Sequence, residues 1–118
     1  MRKITRKIAQ AFIDRRPLKI DNSETDGMHL YLFGNLIAFN RGECIIMSLA
    51  GYPTPTTRER LNGVVQLMDG GRPFFQWHGK QYFDDHYIDD TCTVIWNWRT
   101  KTKTFYPQPI EDVLATLR

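Results

Sequence analysis

Ile4, Ile8, Ala11 and Phe12 fall at i, i+4, i+7 and i+8, one face of a helix with 3.6 residues per turn. The pattern predicts an amphipathic helix over residues 2–15, with Arg2, Lys3, Arg6 and Lys7 on the remaining circumference. Pro17 ends it, because its ring pushes the preceding residue out of the α region. Residues 21–27, with Asp21, Asn22, Ser23, Asp26 and Gly27, read as a loop. The apolar runs 29–33 and 36–39 flank Gly34-Asn35, which predicts a hairpin turning at those two residues. Asn40-Arg41-Gly42-Glu43 then turns the chain into a third strand from Cys44 to Ser48.

The pattern changes at Gly51-Tyr52-Pro53-Thr54-Pro55, where two prolines preclude a central strand. Thr56 and Glu59 have capping-box spacing, in which hydroxyl and carboxylate satisfy each other's backbone N–H groups. They predict a short helix over 57–62, with Leu61 inward and Gly63 ending it in a left-handed conformation. Strands then follow at Val64–Met68, Pro73–Trp77 and Lys80–Phe83, with turns at Asp69-Gly70-Gly71 and His78-Gly79. Residues 84–90 read as an acidic loop, and Thr93–Trp98 as a strand with Val94, Trp96 and Trp98 on one face. Ile110, Val113, Leu114 and Leu117 repeat at helical spacing after Pro109, giving a last helix over 110–117 with Glu111 and Asp112 at its positive end.

This order predicts the α+β class: antiparallel β meanders packed by an N-terminal amphipathic helix, a short central helix and a C-terminal helix. The length of 118 residues suits a single α+β domain over 1–118. No window approaches the roughly 20 apolar residues of a membrane span, and no apolar signal segment follows the basic start. Cys44 and Cys92 stand far apart outside any C-x-x-C pair, and read as free thiols of a reducing cytosol, the alternative being a single disulfide if their strands meet.

Charge sharpens the picture. Net charge is +3. Six of the basic residues, Arg2, Lys3, Arg6, Lys7, Arg15 and Arg16, sit within residues 1–16 against Asp14 alone. The molecule therefore has a basic head and a mildly acidic body.

The segment GYPTPTTRERLNG, with the preceding DGMHLYLFGNLIAF hairpin, resembles a family of small tailed-bacteriophage proteins that carry an LYLxGN hairpin and a TTRERLN helix. The likeness covers about residues 25–83. It sets apart the basic helix 2–15 and a C-terminal extension over 84–118, and many relatives have Trp at the position of Tyr52. The resemblance implies a phage origin and a small accessory role inside an infected cell. No activity comes with it, so no catalytic residues carry over.

Three groups of residues are candidates for function. Asp84, Asp85, His86 and Asp89 offer ligands for Mg²⁺, Mn²⁺ or Zn²⁺ if they converge, and otherwise form a solvated acidic loop. The basic head, Arg2, Lys3, Arg6, Lys7, Arg15 and Arg16, suits phosphates or an acidic protein surface, and otherwise is a solvated helix face. Tyr52, in a proline-stiffened turn, and Arg58, on the short helix, offer a rigid contact. Trp98, interleaved with Arg99, Lys101 and Lys103 near Trp96, Phe105 and Tyr106, joins them, although one sheet face explains the same aromatics. No P-loop, G-x-G-x-x-G or G-x-S-x-G sequence is present.

These features and the phage resemblance select a non-catalytic phage accessory protein, without cofactor, that binds and modulates, by inhibition, a host or defence protein, its partner being a host or phage protein with an acidic surface. It is expected in the cytoplasm of the infected cell, as a monomer or homodimer and away from membranes. A nucleic-acid-binding protein using the basic helix and the aromatic C-terminal segment is the alternative. A metal-dependent nuclease built on residues 84–90 is a third.

Overall fold

The computed structural model describes residues 1–117 and is α+β. Helix α1 (Lys3–Ile13) buries Thr5, Ile8, Ala9, Ala11 and Phe12, the stripe its periodicity predicts shifted slightly, with Ile4 half-exposed. It ends at Asp14, and Arg15 takes a left-handed φ of 58° ahead of Pro17.

A meander follows: β1 (Leu18–Ile20), β2 (Ser23–Thr25), β3 (His29–Leu32), β4 (Asn35–Asn40) and β5 (Ile45–Ser48). The expected loop over 21–27 therefore contains strand β2 and the turn that joins it to β1. Short polar strands leave no apolar alternation to read, yet Ser23 and Thr25 are both buried. The β3–β4 hairpin turns at Phe33-Gly34, one residue earlier than expected. Their φ values of 51° and 79° place both central residues in the left-handed region, as a type I′ turn requires.

The largest correction concerns helix α2, which runs Pro55–Asp69 and absorbs the expected strand Val64–Met68. Gly63 does not end it. A Cβ there would lie 2.4 Å from the Thr5 Cγ2, so glycine lets α2 press against α1. The β-branched Val64 and Val65 are buried in this interface region, and packing overrides their strand preference. The cap also moves. Thr54, not Thr56, accepts from the Thr57 N–H at 3.2 Å, with Pro55 in the first turn. At the far end Gly70, at φ 85°, donates its N–H to the Gln66 carbonyl, so Asp69-Gly70-Gly71 is a helix cap.

After α2 come β6 (Phe74–Trp77), β7 (Lys80–Phe83) and β8 (His86–Ile88), an antiparallel sheet of three strands. β8 lies within the expected acidic loop. The chain then returns as β9 (Thr93–Asn97), adds β10 (Thr102–Tyr106), which the sequence reading passes over, and closes with α3 (Ile110–Thr116). β9 pairs with β5, giving a second sheet of seven strands in the order β1-β2-β3-β4-β5-β9-β10.

Leu30, Ala38, Met47 and Val94 stand in register across β3, β4, β5 and β9 and are fully buried. With Phe12, Leu61 and Val64 they form the main core. Phe74, Phe83 and Ile88 bring the inner face of the small sheet into the same core. Ile46, in register with Phe39 and Ile95, points to the opposite face of the large sheet, where α3 packs against β4 and β5 through the buried Ile110 and Val113.

Candidate interaction surfaces

The basic head divides into tied and untied cations. Arg2 Nε donates to both Glu59 oxygens, at 3.1 and 3.2 Å. Glu59 also accepts from the Thr5 hydroxyl and from Arg60 Nη1 at 2.9 Å. Arg60 is 2% exposed. It donates further to Ser23 Oγ at 3.0 Å and to Thr5 Oγ1 at 2.6 Å, so β2, α1 and α2 are pinned at one point. A guanidinium this deep survives because each neighbour accepts from it. Arg16 pairs with Asp14 at 3.6 Å, and Arg15 donates to the Asn40 carbonyl at 3.4 Å. Lys3, Arg6 and Lys7 are exposed on α1 and make no ion pair among the described residues.

Arg58 is occupied internally. Its Nη1 donates to the Pro53 carbonyl at 2.9 Å and to Gln81 Oε1 at 3.0 Å, fastening the proline turn to β7. Burial lowers its pKa. Tyr52, beside it, is 53% exposed. It walls a groove of about 350 Å³ with Phe33, floored by Leu32, Ile37 and Thr57. Trp98 is half-buried, donates from Nε1 to the Gly42 carbonyl at 3.4 Å and lies 5.1 Å beneath the Arg99 guanidinium.

The acidic residues diverge. Asp84 and Asp85 both accept from Lys103 Nζ, at 3.2 and 3.3 Å. His86 contacts Asp85 at 3.2 Å and stacks on Phe105 at 4.3 Å. Asp89 accepts from the Thr91 and Cys92 N–H groups, at 2.9 and 2.7 Å, and so shapes the turn into β9. Among the described residues no three His, Cys, Asp or Glu side chains are placed to hold a metal ion. Cys44 and Cys92 are free thiols, and burial pushes both upward in pKa, away from the reactive thiolate.

The small sheet carries a surface that the sequence reading does not select. Phe75, Tyr82 and Tyr87 face one another across β6, β7 and β8, and Trp77 faces Lys80 in the next row. Trp77 is 60% and Tyr87 61% exposed, with Phe75 also outside. Asn62 holds this sheet onto α2, since its amide donates to the Phe74 carbonyl and accepts from the Phe74 N–H, both at 2.8 Å.

A family model, the Kyanoviridae Gp96 protein, matches residues 1–105. The chain belongs to the Kyanoviridae Gp96 family. This is a bacteriophage protein family, in keeping with the phage resemblance of residues 25–83. The Gp96 match also takes in the basic helix α1 and the chain from Asp84 to Phe105, which the resemblance had set apart. No curated protein and no solved structure matches the chain. Among the described residues no helix is long and apolar enough to cross a membrane.

Arg60 and the outer aromatic face are the residues that sequence reasoning passed over. Arg60 carries no signal, because a lone arginine on a helix is usually solvated. The outer face does carry one. Phe74 and Phe83 alternate with Phe75, Trp77 and Tyr82, so aromatic rings occupy both faces of the hairpin, and only one can meet a core.

Proposed function

We propose that this Gp96-family protein is a non-catalytic accessory factor of phage infection that binds a host or defence protein in the cytoplasm of the infected cell and inhibits it by covering part of its surface. The observation that supports this reading is the untied ridge of Lys3, Arg6 and Lys7, held on a helix whose opposite face is fixed in the core. A rigid cationic ridge needs no reordering to meet an acidic surface, and it accelerates encounter. Arg15 and Arg16, beyond the end of α1, are tied to the Asn40 carbonyl and to Asp14, and Arg2 and Arg58 serve internal contacts.

The test is affinity capture of the tagged protein from infected cells, with and without nuclease. A captured protein should survive nuclease treatment and be lost from the Lys3→Glu/Arg6→Glu/Lys7→Glu variant. The three sites are exposed, so the variant should keep its stability to within about 0.5 kcal/mol per substitution. Retained capture by the folded variant would remove the ridge as the docking site.

The same ridge also suits phosphate, and this favours nucleic acid as the second reading. A gel shift whose affinity falls steeply with salt, as counterion release demands, would support it over a protein partner.

A further inference from the structure

We propose that the cavity where the end of α1, the start of β3, the end of β4 and helix α3 meet binds a small amphiphile, with a carboxylate or phosphate head on an apolar body. The cavity holds about 410 Å³, within the range of small-molecule sites. Met28, Phe39, Leu114 and Leu117 line it with apolar surface, and Arg15 and Arg41 line it with charge.

The walls are held in place from behind. Asn40 is 5% exposed and ties three segments together. Its side-chain amide donates to the Phe12 carbonyl at 3.3 Å and accepts from the Gly42 N–H at 2.9 Å, and its own N–H donates to the Met28 carbonyl at 2.7 Å. Gly27 packs against the Arg15 backbone, where a Cβ would lie 2.7 Å from the Arg15 carbonyl oxygen. The left-handed φ of Arg15 is thus fixed by its surroundings, and its guanidinium is brought to the Asn40 carbonyl at 3.4 Å. Across the cavity, Arg41 Nη2 donates to the Leu117 carbonyl at 3.2 Å.

The donors available decide the ligand's chemistry. A guanidinium carries five N–H donors. Arg15 and Arg41 each use one on a carbonyl, and neither forms an ion pair among the described residues. No Asp or Glu lines the cavity. The nearest carboxylates are committed elsewhere: Asp14 to Arg16, and Asp26 to the His29 imidazole at 2.9 Å and to the Met28 and His29 N–H groups. Glu43 lies with Arg99 in a separate recess, and Glu111 lines a different cavity. Two open guanidiniums suit an oxyanion. The remaining polar lining, His29 and the Asn40 amide, is already paired and has little left to read a sugar or a base. The body of the ligand therefore meets Met28, Phe39, Leu114 and Leu117, and is apolar.

The test is NMR titration of the full chain with octanoate and, separately, with octyl phosphate. Saturable shifts of the Met28, His29, Arg41 and Leu114 amide resonances are expected, with a Kd below about 1 mM for at least one of the two. The tighter of the two names the head group. Acetate, which lacks the tail, and octan-1-ol, which lacks the head, should each bind at least about tenfold more weakly. Arg15→Gly/Arg41→Gln should weaken binding of the anion by about tenfold or more, and glycine keeps the left-handed backbone at position 15. The α1 charge-reversal variant should bind octanoate unchanged, so this proposal stands or falls apart from the α1 reading. Should the double variant unfold, the comparison of octanoate with acetate and octan-1-ol on the unaltered protein gives the same answer. Four results would overturn the idea: no saturation by either anion, shifts confined to residues away from the cavity, octan-1-ol binding as tightly as octanoate, or undiminished binding by a folded double variant. A nucleoside monophosphate that matches octyl phosphate would also overturn it, by removing the need for an apolar body.

Discussion

Single residues in this molecule show where local preference and position disagree. Phe33 occupies the first central position of a type I′ turn at φ 51°, although its side chain is 70% exposed. Asparagine suits that backbone far better than phenylalanine. Phe33→Asn should therefore stabilise the fold by about 0.5–1 kcal/mol in urea unfolding, at the expense of one wall of the Tyr52 groove. Glu59 links stability to pH. Burial raises its pKa, but hydrogen bonds from Thr5 and Arg2 and the charges of Arg2 and Arg60 outweigh burial, leaving it below the ordinary 4.5. In the acid range the unfolded chain then binds the proton more readily than the folded one. The Glu59 contribution is complete above the ordinary value and is lost as pH falls through the lowered one. Urea midpoints measured from pH 7 to pH 3 should drop for the natural protein. Glu59→Gln should start lower, because Arg60 loses its counter-charge, and should show a flatter acid slope.

At the scale of elements, the contact between α1 and α2 turns on Gly63. Gly63→Ala should cost about 1–3 kcal/mol in the same unfolding assay, since its methyl meets the Thr5 side chain that Glu59 and Arg60 already hold. An exposed mid-helix Gly→Ala change would stabilise instead, so the sign of the shift tests the close packing. Asn62→Ala should orphan the Phe74 N–H and carbonyl, at about 1–3 kcal/mol for each buried group. Hydrogen exchange should show β6 loosening before the large sheet.

Much of this level is legible in the sequence. Helices α1 and α3 and strands β3 to β7 and β9 lie near where periodicity and turn residues put them. Helix α2 was cut short because Gly63 offers a C-cap and Val64-Val65 offers a strand, and only the approach of α1 reverses both readings. β1 and β10 are edge strands and β2 a three-residue strand between β1 and β3, short or threonine-rich segments whose pairing partners, not their own pattern, make them strands.

Viewed whole, the chain separates its charges. Six basic residues lie within residues 1–16 against Asp14 alone, an asymmetry that the sequence displays directly. Which cations remain available was not legible. Arg2 and Glu59 are 57 residues apart in sequence, and only folding shows that they neutralise each other. The same holds for the aromatic face, whose Tyr82 and Tyr87 neighbour each other only once β8 has formed inside a segment that reads as loop.

The chain leaves the large sheet after Ser48 and re-enters it opposite the same residue, at Thr93. In refolding, β1 to β5 can zip by local hairpins, and so can β9 with β10. Uniting the two halves must wait until residues 49–92 have looped round, which is slow because entropy is lost before any contact compensates. Stopped-flow experiments should then find that Asn62→Ala slows refolding more than Phe33→Asn hastens it, because α2 and the small sheet shorten the loop that must close. The amide of Asn62 would thus set how quickly the native sheet is completed, as well as where its aromatic neighbour sits.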